Sequence, residues 1–155
     1  MNPFSIPHHY TPYPICCKLI KLDDNQSGSV AVYTADNPNC EQFLYYKPES
    51  DHIEQPRKPR CDYMLIKVAP GAKPRLIELK GLNHWGHAFQ QFYCTHDEFK
   101  NYIDEEFEFV LCVSIERGQK KAKYETYEWY RRLKESLPYS MTPIILFLGE
   151  RDALT

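Results

Sequence analysis

Apolar residues in the first third of the chain fall at β-type spacing. "ICCKLIKL" (15–22) and "SGSVAVYT" (27–34) read as two strands, joined by the turn-forming "DDNQ". Ahead of them, "MNPFSIPHHYTPYP" (1–14) carries four prolines and predicts an extended arm. "NPNCEQFLYY" (37–46) is expected to form a short helix, with Asn37 as its cap and Pro38 at its first position. Residues 47–60, polar and with three prolines, read as a loop.

The second half is more regular. "CDYMLIKV" (61–68) and "RLIELKG" (75–81) are expected strands, and "APGAKP" between them is a hairpin connection. Trp85, Ala88, Phe92, Phe99 and Ile103 mark one stripe of a helix. "FEFVLCVSI" (107–115) is a continuous apolar run, as expected for a strand buried on both faces. A second helix is predicted over about 121–137, with Tyr127, Tyr130, Leu133 and Leu137 on one side, and "TPIILFL" (142–148) as a final buried strand. Hairpin, helix, strand, helix, strand predicts an α/β domain with a mixed central sheet flanked by helices and right-handed crossovers.

Composition adds limits. The chain has 155 residues, enough for one domain with its own core, 26% of them charged, and a net charge of -2. No apolar run reaches membrane-span length, and the N-terminus has no basic patch or apolar segment of a leader. A cytoplasmic protein without membrane contact is the expectation. Near-neutral charge neither demands nor excludes nucleic acid, so any basic surface has to be local. Six cysteines (16, 17, 40, 61, 94 and 112) include no C-x-x-C pair, which favours reduced thiols over disulfides or a zinc site.

"RLIELKG" holds an anomaly. Alternate side chains of a strand share a face, so Glu78 and Lys80 project together while Ile77 and Leu79 project the other way. Two charges on an interior strand cost free energy unless a surface, an ion pair or a metal compensates. If 61–68 and 75–81 pair through the turn, Asp62 comes opposite the Glu78–Lys80 region. Two carboxylates at one place suit a hard divalent cation, Mg²⁺ or Mn²⁺, and a nearby lysine can orient a water or balance a phosphate. The competing reading is a solvated Glu–Lys pair on an edge strand, with Asp62 as a turn residue.

Asp62 followed by Glu78-Leu79-Lys80 on the next strand resembles the PD-(D/E)XK nuclease superfamily, over roughly residues 60–150 of a single domain spanning 1–155. Residues 1–36, the arm and first hairpin, have no counterpart in it. The resemblance implies a restriction-endonuclease-like mixed sheet. It also implies hydrolysis of phosphodiester bonds of nucleic acid, DNA ahead of RNA, with Mg²⁺ or Mn²⁺. Asp62, Glu78 and the Leu79 backbone carbonyl would hold the metal, and Lys80 would position or activate the attacking water. Gln91 in "GHAFQQFY", or less favourably Gln90, would correspond to the glutamine that such proteins carry on the following helix. Glu41 is the best match for a further acid on a preceding helix, and Cys61 replaces the motif's proline.

A nuclease also needs phosphate contacts. Arg57, Lys58 and Arg60 precede Asp62 directly, and Arg117, Lys120, Lys121 and Lys123 lead into the last helix; solvated surface is the alternative for both clusters. "EFK" at 98–100 repeats the spelling of the motif, but in a helix its charges diverge. His84 and His87 have no third ligand by spacing, and Tyr124, Tyr127 and Tyr130 at helical spacing suit a core better than a base-stacking platform. A homodimer is compatible with the sequence. The rival from another class is a catalytically inactive module of the same fold that binds nucleic acid or a protein partner.

Overall fold

A computed structural model describes residues 4–24, 31–53, 56–81, 85–118 and 123–154. Its centre is a mixed six-stranded sheet in the order β1-β4-β5-β6-β7-β8. These strands are β1 (Tyr13–Ile15), β4 (Phe43–Tyr46), β5 (Tyr63–Lys67), β6 (Arg75–Lys80), β7 (Glu108–Val113) and β8 (Ile144–Leu146). The first four form an antiparallel array, and β6, β7 and β8 run parallel. Helix α2 (Trp85–Phe99) joins β6 to β7, and α3 (Glu128–Ser136) joins β7 to β8, as parallel neighbours require. A second, three-stranded sheet contains β2 (Leu19–Asp23), β3 (Val32–Asp36) and β9 (Asp152–Ala153).

Two apolar clusters lie on opposite faces of the large sheet. On one face Leu44, Met64, Ile66, Leu76 and Leu111 pack against Trp85, Phe89 and Phe92 of α2 and Leu133 of α3. On the other, Phe43, Leu65, Ile77, Leu79 and Val110 meet Ile20, Leu22, Tyr33 and Ala35 of the small sheet. The central strands are thus covered twice. Their near-continuous apolar sequences follow from that, and β7 is buried along its length as its run predicted. Tyr124, Tyr127 and Tyr130 pack around Phe89, Tyr130 buried in the core and the other two half-buried against it.

Four expectations need correction. The run 15–22 is split: β1 belongs to the large sheet and β2 to the small one, so exposed Cys16 and Cys17 lie where the chain changes sheets. Residues 37–46 are not a helix. The Asn37 side chain accepts from the Glu41 N–H and donates to the Glu41 carbonyl, and Cys40 takes φ 51°. This closes a turn that competes with helix, and the β-favouring "FLYY" then becomes β4. The proline-led helix comes later, as α1 (Pro48–Asp51), inside the segment expected to be a loop. The last helix is shorter than expected: a 3-10 turn at Tyr124–Thr126 precedes α3. Cysteines 16, 17, 40, 61, 94 and 112 are all free, with only Cys61 and Cys112 fully buried.

The C-terminal strand is tied in by a buried polar network. Tyr33 donates to Asp152 Oδ2 at 2.7 Å, and Arg75 Nε lies 3.3 Å from the same oxygen. Arg75 also pairs with Glu108 and donates to the Ala153 carbonyl. A short β9 has little apolar area of its own, so this network anchors it between the sheets.

Candidate active site

Pairing of β5 with β6 puts Tyr63 opposite Ile77, which brings Asp62 to Glu78. The contact is reciprocal. The Asp62 N–H donates to Glu78 Oε2 at 3.1 Å, and the Leu79 N–H donates to Asp62 Oδ2 at 2.9 Å. Lys80 Nζ lies 2.9 Å from Glu78 Oε1. Strand alternation puts Glu78 and Lys80 on the side of Leu76, which packs in the helix-facing core. Glu78 is only 1% exposed, whereas the Lys80 side chain is 16% exposed. So Asp62, Glu78, Leu79 and Lys80 are brought together as their spacing predicted, but on a central strand covered by α2. The solvated edge-strand alternative does not describe it.

Electrostatics follow from this burial. Loss of solvation, reinforced by Asp62 and opposed by Lys80, pushes the Glu78 carboxyl well above the usual carboxylate range. Burial also pushes Asp62 up to about 6, against the stabilising Leu79 N–H, with Glu49 and Asp24 adding repulsion. The pair is short of positive charge despite Lys80.

Helix α2 holds the segment that carries Asp62. Gln91 Nε2 donates to the Arg60 carbonyl at 3.0 Å, and the Cys61 N–H donates to Thr95 Oγ1 at 2.9 Å. Thr95 Oγ1 in turn donates to the Gln91 carbonyl at 2.7 Å. Gln91 is buried, and its own Oε1 has no hydrogen-bond partner among the described residues. The structure thus gives Gln91 a positioning contact to the backbone two residues before Asp62. Gln90 faces outward instead, against His87. Residues 91, 95 and 98 share one helix face, and a threonine within an apolar stripe was the signal for this clamp.

The proposed phosphate ligands separate. Arg57 lines a cleft of about 620 Å³ together with Asp62, and Lys58 is exposed beside it. Arg60 is buried at 2% exposure, its Nε 2.6 Å from Glu98 Oε2, so it has no face to offer a phosphate. Lys123 is exposed just before the 3-10 turn, Arg117 is paired with Glu150, and Lys120, Lys121 and His84 lie outside the described residues. Arg60→Met is expected to cost about 3 kcal/mol in urea unfolding, since it strands Glu98, while Arg57→Ala should leave stability unchanged. Equal stabilities of the two variants would contradict this division.

Glu41 does not reach the site. It pairs with Lys67 at 2.8 Å, at the far end of β5, about 16 Å along the strand from Asp62. Glu49 on α1 lines the Asp62 cleft instead and raises the proton affinity of both carboxyls. Sequence reasoning missed it because α1 is only four residues long and sits in a proline-rich stretch.

No family model matches the chain, and neither a curated protein nor a solved structure matches it. Among the described residues, no helix is long and apolar enough to cross a membrane.

Proposed function

We propose that this protein is a metal-dependent nuclease with a restriction-endonuclease-like fold, hydrolysing phosphodiester bonds of nucleic acid, DNA ahead of RNA. One observation carries the reading: Asp62, at the start of β5, and Glu78 and Lys80 of β6 converge, with Lys80 paired to Glu78 and the Asp62 N–H bonded to the same carboxyl.

The donor set fits Mg²⁺ or Mn²⁺. Two carboxylates with raised proton affinity are under-compensated, and their oxygens are hard ligands. Among the described residues no group of three or more His, Cys, Asp or Glu is arranged to hold an ion. That suits a cation held by one or two carboxylates and completed by water and phosphate, as Mg²⁺ commonly is. Asp62 and Glu78 would hold it, with the Leu79 carbonyl. When bound, such an ion polarises a phosphate oxygen and makes a coordinated water more acidic.

The chain's own groups supply the rest. Lys80 is anchored by Glu78 and partly exposed, so its ammonium can donate to an attacking water or to a phosphate oxygen. Gln91 and Thr95 fix the backbone that carries Asp62. Arg57 lies where an incoming backbone phosphate can be paired.

Calorimetric titration of Mn²⁺ and Mg²⁺ tests the site. Binding should be lost in Asp62→Asn and in Glu78→Gln. Because the Asp62 carboxyl is pushed up to about 6, the ionised ligand disappears as pH falls through that value. Affinity should therefore rise by about fivefold between pH 5 and 6 through Asp62 alone, with proton release. Binding that is flat over pH 5–7, or intact in both variants, would remove the assignment.

A second reading has its own support: both Glu78 oxygens already have partners within the chain, Asp62 N–H and Lys80. That suits a non-cleaving module that binds nucleic acid or a protein partner. Cleavage of any oligonucleotide by wild type with Mn²⁺, lost in Asp62→Asn, would exclude it.

A further inference from the structure

The arm ahead of β1 is tied to the segment that presents Asp62. Ile6 and Tyr10 are buried in the helix-facing core, and the Tyr10 ring lies 4.9 Å from that of Phe99 on α2. A phenylalanine would fill the same space, so the hydroxyl needs its own explanation. It donates to Glu98 Oε1 at 2.6 Å, while Arg60 Nε donates to the other oxygen, Glu98 Oε2, at 2.6 Å. The carboxylate is held from two sides, one of them the arm. Burial, then Glu98, pushes the Tyr10 hydroxyl well above the usual phenol range, so it stays a donor at neutral pH.

From Arg60 the contacts lead on to Asp62. The Arg60 carbonyl accepts from Gln91, the Cys61 N–H donates to Thr95, and the Asp62 N–H donates to Glu78. Three consecutive residues are thus fixed, the first two of them by α2. A second path ends at the same place. The Thr11 N–H donates to Asp51 of α1 at 3.2 Å, and the Glu49 N–H of α1 donates to the Cys61 carbonyl at 3.2 Å. Tyr10 and Thr11 therefore brace both elements that hold residues 60–62. Asp62 needs bracing, because its carboxyl stands among Glu78, Glu49 and Asp24, whose repulsion favours its moving away.

We infer that Tyr10 is a positioning residue for the candidate site: through Glu98 and Arg60 it fixes the backbone that presents the Asp62 carboxylate, which makes the arm part of the site's scaffold. The inference rests on the metal-dependent reading only for what the carboxylate then binds. The positioning itself can be tested without metal.

The test compares Tyr10→Phe with Tyr33→Phe by amide hydrogen exchange in the full-length, metal-free protein. Tyr33 is a matched control. It too is fully buried and donates to a carboxylate, Asp152 Oδ2 at 2.7 Å, but that contact lies beside Arg75, at the other end of β6. Both variants keep the ring and lose one hydrogen bond to a charged acceptor, so both lower overall stability, which the Leu111 and Val113 amides of β7 report. Relative to those β7 amides, Cys61 and Asp62 should exchange about tenfold faster in Tyr10→Phe and stay within about twofold of wild type in Tyr33→Phe. A merely structural hydroxyl would move all these amides together and leave the ratio alone.

Mn²⁺ titration is read separately on the same three proteins. Affinity should fall by about three- to tenfold in Tyr10→Phe, less than for loss of a partner touching a ligand directly, and should hold in Tyr33→Phe. Equal exchange ratios in the two variants, or Mn²⁺ binding that Tyr10→Phe leaves unchanged or that both variants weaken alike, would overturn the inference. The expected exchange ratios in a protein that binds no Mn²⁺ would defeat the metal-dependent reading and leave the positioning role standing.

Discussion

On the proposed nuclease reading, Asp62→Asn is expected to lower phosphodiester cleavage by about 10³-fold, the scale of losing one preorganised charge at a reacting centre. The same substitution should make the fold more stable. Asparagine keeps an oxygen for the Leu79 N–H but removes a half-buried charge beside Glu78, Glu49 and Asp24. The carboxyl is pushed from 3.8 up to about 6 in the folded chain, so it weakens folding increasingly as pH climbs between those values, fully above the higher one and hardly at all below the lower one. The gain in Tm over wild type should accordingly be present at pH 8 and fade toward pH 4. A loss of activity accompanied by a gain in stability separates a functional charge from a structural one. If Asp62→Asn instead lowers Tm at pH 8, the aspartate is holding the fold, and loss of cleavage alone would say nothing of its chemistry.

The contrast between Asp62 and Glu41 explains what the sequence could and could not reveal. Asp62 was legible because a hairpin couples register to turn length: once 61–68 and 75–81 are strands joined by "APGAKP", its neighbour across the ladder is constrained. Strand β7 was legible as an unbroken apolar run between helices, whereas β8, expected to be buried, is a three-residue edge strand with Ile144 and Ile145 only half-buried. Glu41 failed because Asn37-Pro38 carries the same letters in a helix cap and in a turn. The choice between them is made by a side-chain bond from Asn37 to the Glu41 backbone. Arg60 failed for a different reason. Its sequence neighbours Arg57 and Lys58 suggest surface, and only the helix register that brings Glu98 opposite it takes the guanidinium inside. The small sheet was invisible beyond its β-type runs, because β3 pairs with β9 more than a hundred residues away. The cleft is built partly from that sheet, through Lys21–Asp24, so its lining could not be assembled from local pattern.

The buried Glu78–Lys80 pair sets the second large effect. Lys80→Met leaves Glu78, at 1% exposure, without its cation, and the expected cost is about 3 kcal/mol in urea unfolding at pH 9. The pH dependence identifies the cause. Burial, then Asp62, raises the proton affinity of Glu78, while Lys80 lowers it. A carboxyl raised in the folded state weakens folding as pH climbs above its unfolded value, and removing Lys80 raises it further. As pH falls, the carboxyl takes up a proton in both folded proteins, so the variant should fall short of wild type by less at pH 5 than at higher pH. The deficit should then grow steadily toward pH 9. Glu78→Gln alone should be mild, since the amide oxygen still accepts from the Asp62 N–H and the Lys80 stem can carry its ammonium outward. Adding Glu78→Gln to Lys80→Met should restore most of the lost stability, because the uncompensated charge is gone. A deficit equal at pH 5 and pH 9, or one that Glu78→Gln does not relieve, would mean that the lysine's aliphatic stem, and not its charge, supports the strand. Only the charged arrangement explains why an interior strand keeps two ionisable residues on one face, and the double variant asks that of the fold without any substrate present.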